Sequence, residues 1–277
     1  MSDPLRPEEY VEPNCVLCDP ALGRKAPVER IPQQRISARL DELMGKKEFG
    51  EAEAMLKNWV NEAEAYNDRQ GLFFVLNEMM GYYRKVGKKA EGYAAVERAL
   101  GMLTELGYTD TVSGATALTN AATVYTSFED YESALPLFRR AKEIYEANAQ
   151  DNEYKLAGLC NNMATSLTAL GEYKEADALY EKALVLLEKV EKSELEMAMI
   201  WLNRLDILLS REGDSLDEKK ADPCLEMAKK YLDSEKVERN SYYSFMADKC
   251  VGVYDYFGWF LYAQELRERI REIDERA

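Results

Sequence analysis

The sequence predicts an all-α fold, an array of about six helical hairpins stacked in chain order. Three observations carry this. The stretch Ala157 to Val190 reads as two helices meeting at Gly171, with Cys160, Met163, Leu167 and Tyr180 at helical spacing and the small residues Ala164, Ala176 and Ala183 where two helices would cross closely. The same order returns 42 residues earlier as Leu118, Ala121, Ala122, Tyr125, Ala134, Phe138 and Ala141, and 42 before that as Leu76, Met79, Met80, Tyr83, Gly92, Val96 and Ala99. Turn glycines hold the register: Gly87 to Gly171 is 84 residues, Gly171 to Gly213 is 42 and Gly213 to Gly258 is 45. A fixed period of this size marks supersecondary units that bury their apolar faces against one another.

The first element is not helical. Six of the eight prolines lie in residues 1–32, a density that excludes helix and favours extended backbone. The sequence is therefore divided into an arm, 1–32, and a repeat domain, 33–277. Ile36, Leu40 and Leu43 mark the first helix, and Ala52, Met55, Leu56 and Trp59 its partner, with a turn at Lys46 to Glu48 and a break at Asn67 and Gly71. The second pair spans 72–86 and 88–106, and Gly107 ends it because glycine is favoured just past a helix. The third spans 112–128 and 131–149, with Glu129 at the turn and Pro136 expected to kink or displace the second helix. The fourth spans 153–170 and 173–191. Ser193-x-x-Glu196 reads as a capping box opening the fifth pair, which turns at Gly213. Its second helix has two candidate starts, Ser215-x-x-Glu218 and Asp222-Pro223. The sixth spans 240–256 and 259–275 around Gly258.

Composition narrows the function. Hydrophobic residues make up 47% and charged residues 31%, enough apolar material for a continuous core. With 36 Lys and Arg against 51 Asp and Glu, the net charge is −15, which argues against nucleic acid or an anionic membrane surface and permits a cationic partner. The bland reading of that charge is solubility. No segment approaches the roughly 20 apolar residues of a membrane helix, and no basic start precedes an apolar run, so a soluble, cytoplasmic protein is expected. The five cysteines, mostly at apolar helix positions, suit a reducing compartment. Histidine is absent, which removes the commonest general base and the commonest metal ligand. No catalysis and no cofactor are expected.

The pattern large-x-x-large-small-x-x-large followed across a turn by small-x-x-x-large resembles the tetratricopeptide (TPR) signature. Cys160, Met163, Ala164, Leu167, Ala176 and Tyr180 meet it, as do Leu118, Ala121, Ala122, Tyr125, Ala134 and Phe138. The resemblance covers residues 34–275, specific in the two central repeats and degenerate outside them. The period departs from the family's 34 by eight residues, about one extra turn per helix, as in the long-helix members that include kinesin light chains and bacterial peptide-sensing regulators. The family's closing proline is missing, and the fifth repeat needs one inserted residue before Gly213. The resemblance implies a right-handed superhelix, a scaffold whose first helices line a concave peptide-binding face.

Residues 112–128 and 156–171 carry no charge, whereas 172–192 carries ten charged side chains. The second helices are therefore the solvated ones. Polar stripes remain on the enclosed first helices: Thr116, Thr119, Asn120, Thr123 and Ser127, then Asn161, Asn162, Thr165 and Thr168. Asn120, Asn162 and Asn203 are 42 and 41 residues apart, with Asn77 one residue off register and Glu78 on it. Such a ladder offers donors and acceptors to a peptide backbone, which makes Asn77, Glu78, Thr116, Asn120, Thr123, Asn161, Asn162, Thr165 and Asn203 the candidate contacts and a basic or neutral peptide the candidate ligand. The competing account is that these amides bond one another and fix the stacking.

Nine aromatic residues fall within 242–262. Core packing is one account of them; an interface, with a second copy of the chain or another protein, through Tyr254, Tyr256, Phe257, Trp259 and Phe260 is the other. Cys15-Val16-Leu17-Cys18 has the form of half a zinc site or of a redox pair. Tetrahedral zinc lacks a second pair or a histidine here, so incidental or structural thiols lead, ahead of a metal shared between chains and redox chemistry.

Overall fold

The computed structural model describes residues 29–148, 152–213 and 216–276. All regular structure among them is helical. The chain divides into two compact units, one ending at Ile144 and the other beginning at Tyr145. The first contains α1 (Gln33–Gly45), α2 (Phe49–Ala65), α3 (Arg69–Val86), α4 (Lys89–Gly101), the single turn α5 (Leu103–Leu106), α6 (Val112–Ser127) and most of α7 (Tyr131–Ala147). There α3 packs on α2, α4 and α6. The second unit holds three hairpins: α8 (Glu153–Ala169) with α9 (Tyr173–Leu187), α10 (Glu194–Glu212) with α11 (Asp222–Leu232), and α12 (Ser241–Tyr256) with α13 (Phe260–Asp274). Helix α10 also packs on α8, α9 and α12, so the first helices of these hairpins lie side by side.

The repeat register is the packing register. Cys160, Met163, Ala164, Leu167, Ala176, Tyr180 and Ala183 are all buried, and so are Leu118, Ala121, Ala122, Ala134, Phe138 and Ala141. In the second hairpin Gly92 takes the small position, where an added Cβ would stand 3.3 Å from Val124. Ala176 is its counterpart in the fourth. Ala176→Leu should cost about 1–3 kcal/mol through overpacking at the α8–α9 crossing. A thermal melt superimposable on that of the parent would show the crossing to be looser than the register implies.

The inter-helix turns use the left-handed region. Gly87, Gly171, Gly213 and Gly258 have φ between 51° and 82°, and Glu129 takes the same place at 62°. Helix α7 runs unbroken through Pro136, which lies in its second turn. Of the two candidate starts for the last part of the fifth hairpin, the second is used: a 3₁₀ turn at Glu218–Lys220 precedes α11, which begins at Asp222 with proline in its first turn. Ser215 lies outside the described residues.

Two local readings change. Gly71 does not break the chain; Asn67, at φ 57°, does, and Gly71 sits within α3. Its missing side chain matters, because a Cβ would fall 2.2 Å from an Asp68 oxygen and 2.6 Å from Ile31. Asp68 caps α3 through the Gly71 N–H and also takes the Ile31 N–H, both at 2.9 Å. Ile31 is itself buried, so the helical unit reaches back into what reads from composition as the arm.

Candidate functional site

A cleft of about 310 Å³ opens on the second unit, across the first helices of its hairpins. Tyr154, Ala157, Gly158 and Asn161 of α8 line one side and Met246 and Lys249 of α12 the other, with Glu196, Met199, Ile200 and Asn203 of α10 between them. Its volume is at the lower end of the ~300–1,000 Å³ typical of ligand clefts.

Glu196 is the charged centre of this cleft, and it does not do what its sequence pattern predicts. The Ser193 hydroxyl donates to the Leu187 and Val190 carbonyls at 2.8 and 3.0 Å, and no side chain caps α10. Glu196 is thereby available to the neighbouring helices. Its Oε1 accepts from the Tyr242 hydroxyl at 2.6 Å and from the Tyr154 hydroxyl at 3.0 Å. Burial first, and the Glu196 carboxylate second, push both phenols up, so they remain donors. The other oxygen, Oε2, is buried without a partner among the described residues.

The asparagines bond one another. In the second unit Asn203 Nδ2 donates to Asn161 Oδ1 at 2.8 Å, and Asn161 Nδ2 to Asn162 Oδ1 at 3.3 Å. In the first, Asn120 Nδ2 donates to Asn77 Oδ1 at 3.1 Å while Asn77 Nδ2 returns to the Phe73 carbonyl of its own helix at 2.9 Å. The rung that meets Asn203 is thus Asn161, one residue from the expected Asn162, which lies outside the cleft lining. Periodicity alone could not separate two adjacent asparagines. The threonines turn inward on their helices: Thr116 donates to Val112 O, Thr123 to Thr119 O and Thr165 to Asn161 O, the i−4 pattern of a hydroxyl in a helix. Thr165 also meets the Tyr180 hydroxyl at 3.2 Å, tying α8 to α9.

Glu78, on α3, accepts from Ser37 of α1 at 3.3 Å. Burial raises its pKa above the usual carboxylate value, against the lowering effect of Ser37. A raised folded-state pKa means that the folded form holds its proton longer, so stability falls as pH rises from the ordinary glutamate range through that pKa. Glu78→Gln should therefore raise the melting temperature at pH 7, with the gain vanishing in acid; a gain that persists at low pH would assign the effect to packing instead.

The aromatic run separates into core and surface. Tyr254 and Phe257 are buried, with the Tyr254 hydroxyl donating to the Leu225 carbonyl at 2.9 Å, and so offer no interface. These side chains fill the space between α12, α13 and α11, as the packing account requires. Trp259 is half-buried and donates to Asp222 at 3.2 Å. Tyr256 and Phe260 are 69% and 65% exposed, beside Leu261 at 86%. Cys15 and Cys18 lie outside the described residues, and among those residues no group of acids and thiols is placed to hold a metal. Cys250 is buried with its thiol pushed up to about 12, far from the reactive thiolate range. No described helix is long and apolar enough to cross a membrane.

Comparison with known proteins agrees with this geometry. The tetratricopeptide repeat model matches residues 115–150 and 156–194, the α6–α7 and α8–α9 hairpins. Among solved structures, BtubC (BKLC) from P. vanneervenii is 20% identical with a TM-score of 0.60, over 72% of this chain and 78% of that one. A putative kinesin light chain of nearly identical TPR-like repeats from Podosopora anserina is 17% identical over 73% of this chain and 94% of its own, with a TM-score of 0.46. No curated protein matches the sequence. Seen with the buried register of the hairpins, the family match places tetratricopeptide repeats at the α6–α7 and α8–α9 hairpins, and the likeness to BtubC (BKLC) is one of fold; such repeats generally serve as protein-interaction scaffolds.

Proposed function

We propose that the protein is a non-catalytic scaffold that holds an extended peptide segment, basic or neutral, along the first-helix face of its repeats. The observation that carries this is the cleft itself: three successive first helices present asparagine amides, a carboxylate and apolar side chains on one open face, while the charged second helices are solvated. Asn203 uses its Nδ2 on Asn161, and its carbonyl oxygen remains to accept a peptide N–H. Bonds among the amides pre-set their orientation, which lowers the cost of ordering them on binding. The acidic balance of −15 favours a basic segment over an acidic one.

The test uses fluorescein-labelled random nonapeptide pools, one basic, one neutral and one acidic, with binding read by anisotropy. The basic and neutral pools should bind, and the acidic pool should bind most weakly. Asn203→Ala should weaken binding by about tenfold, the scale of 1–2 kcal/mol for a hydrogen bond whose loss leaves a partner unsatisfied, with a smaller effect on melting. Glu181→Ala, on the exposed side of α9, should change neither. Binding unaltered in Asn203→Ala, or no pool bound at all, would overturn the reading.

A further inference from the structure

Resting on that peptide-binding reading, we propose that the cleft between α8, α10 and α12 is a lysine pocket, which seats the side chain of a lysine in the bound segment with Glu196 as its counter-charge. The unpaired Glu196 Oε2 is the starting point. A carboxylate oxygen shut away from water with no donor is costly, and native structures rarely leave one so. The two hydroxyls that reach this carboxylate, of Tyr154 and Tyr242, both point at Oε1, and the Asn203 amide donates to Asn161. A donor for Oε2 can come from a ligand, and a cation is the donor that pairs with a carboxylate best.

The walls fit an alkyl stem ending in an ammonium group. Ala157, Leu187, Met199, Ile200 and Met246 supply apolar lining for the four methylenes. Tyr154 lines the cleft, while Tyr242 bonds Glu196 and Phe245 meets Lys249; the three are 51%, 46% and 52% exposed, with ring faces able to attract a cation. One of these rings already does so: the Lys249 ammonium sits 4.0 Å from the Phe245 centroid. Lys249 is the one basic residue of the lining, and it is held on the α12 side of the cleft by that ring. Lysine is favoured over arginine because a single carboxylate oxygen remains; a guanidinium fork pairs with two, whereas an ammonium needs one. Oε2 is covered, so the side chains around Glu196, among them Tyr154 and Tyr242, give way as the ammonium enters. Their exposure leaves both tyrosines room to do so.

The probe is an acetylated, amidated nonapeptide of alanine and serine with one central lysine, compared with the same peptide carrying norleucine there. Binding is followed by NMR of methyl-¹³C-methionine protein, in which Met199 and Met246 report on the cleft. The lysine peptide should shift those two resonances and bind at least tenfold more tightly than the norleucine peptide. Glu196→Gln, which keeps a hydrogen-bond acceptor for the tyrosines, should abolish that difference, whereas Asn203→Ala should weaken both peptides alike. Should Glu196→Gln fail to fold, Tyr242→Phe reads the same contact: it removes one competing donor and should strengthen the lysine preference severalfold. The pocket is overturned if both peptides bind equally, if Glu196→Gln keeps the preference, if Tyr242→Phe leaves it unchanged or weaker, or if only methionines outside the cleft respond. In those cases peptide binding sensitive to Asn203→Ala would still stand. If neither peptide binds the parent protein, both readings fall.

Discussion

Arg269→Leu should lower the stability of the protein by about 3 kcal/mol, the lower end of the range for breaking a buried ion pair. Arg269 is 11% exposed at its side chain and donates from Nη1 to Asp233 at 2.6 Å and to the Tyr243 hydroxyl at 2.9 Å. Tyr262 donates to the same Asp233 oxygen at 2.9 Å, and Lys229 pairs with the other. Burial would raise the Asp233 pKa, but the bonds from Lys229, Arg269 and Tyr262 outweigh it and hold the carboxyl below the usual aspartate range. Removing the guanidinium leaves a half-buried carboxylate with fewer donors and the Tyr243 hydroxyl without the donor that anchors it. Because the folded-state pKa is depressed, the network stabilises the protein above the ordinary aspartate pKa, and that contribution is lost as pH falls through the folded value. The deficit of Arg269→Leu should therefore be largest near neutral pH and shrink in acid. Urea midpoints of parent and variant measured across pH would check this; coincident midpoints at pH 7 would show the network to be dispensable.

Asp68→Ala should cost about 2–4 kcal/mol, since it strands two buried N–H groups at roughly 1–3 kcal/mol each. Asp68 is 2% exposed, and its two oxygens serve the Gly71 and Ile31 amides separately. Asp68→Asn retains one acceptor and should lose less. If alanine and asparagine prove equally mild in thermal melts, water must replace both bonds and the segment at Ile31 is held by its side chain alone. The same contact predicts that the helical unit needs Ile31 although proline density ends the arm at residue 32.

The hairpins were legible in the sequence because burial repeats there. A small residue at Gly92, Ala134 and Ala176 and large ones at Val96, Phe138 and Tyr180 recur every 42 residues, and each such position packs at a helix crossing, where size is the selected property. Turn glycines, and Glu129 in their place, were legible for a similarly local reason, the left-handed backbone a tight reversal requires. The site was legible only in part. Its face could be found from the absence of charge over residues 112–128 and 156–171, but the use of each polar residue could not. Thr116 and Thr123 bond their own helices, Asn161 rather than Asn162 meets Asn203, and Tyr254 turns into the core while Tyr256 faces outward. Glu196 shows the difference most plainly. Its spacing from Ser193 is that of a capping box, a local motif read from four residues. Its actual partners, Tyr154 and Tyr242, lie 42 and 46 residues away on neighbouring first helices. Local sequence determines which residues can form a helix and which face is buried; only the stacking of helices decides where a side chain that can reach several partners spends its hydrogen bonds.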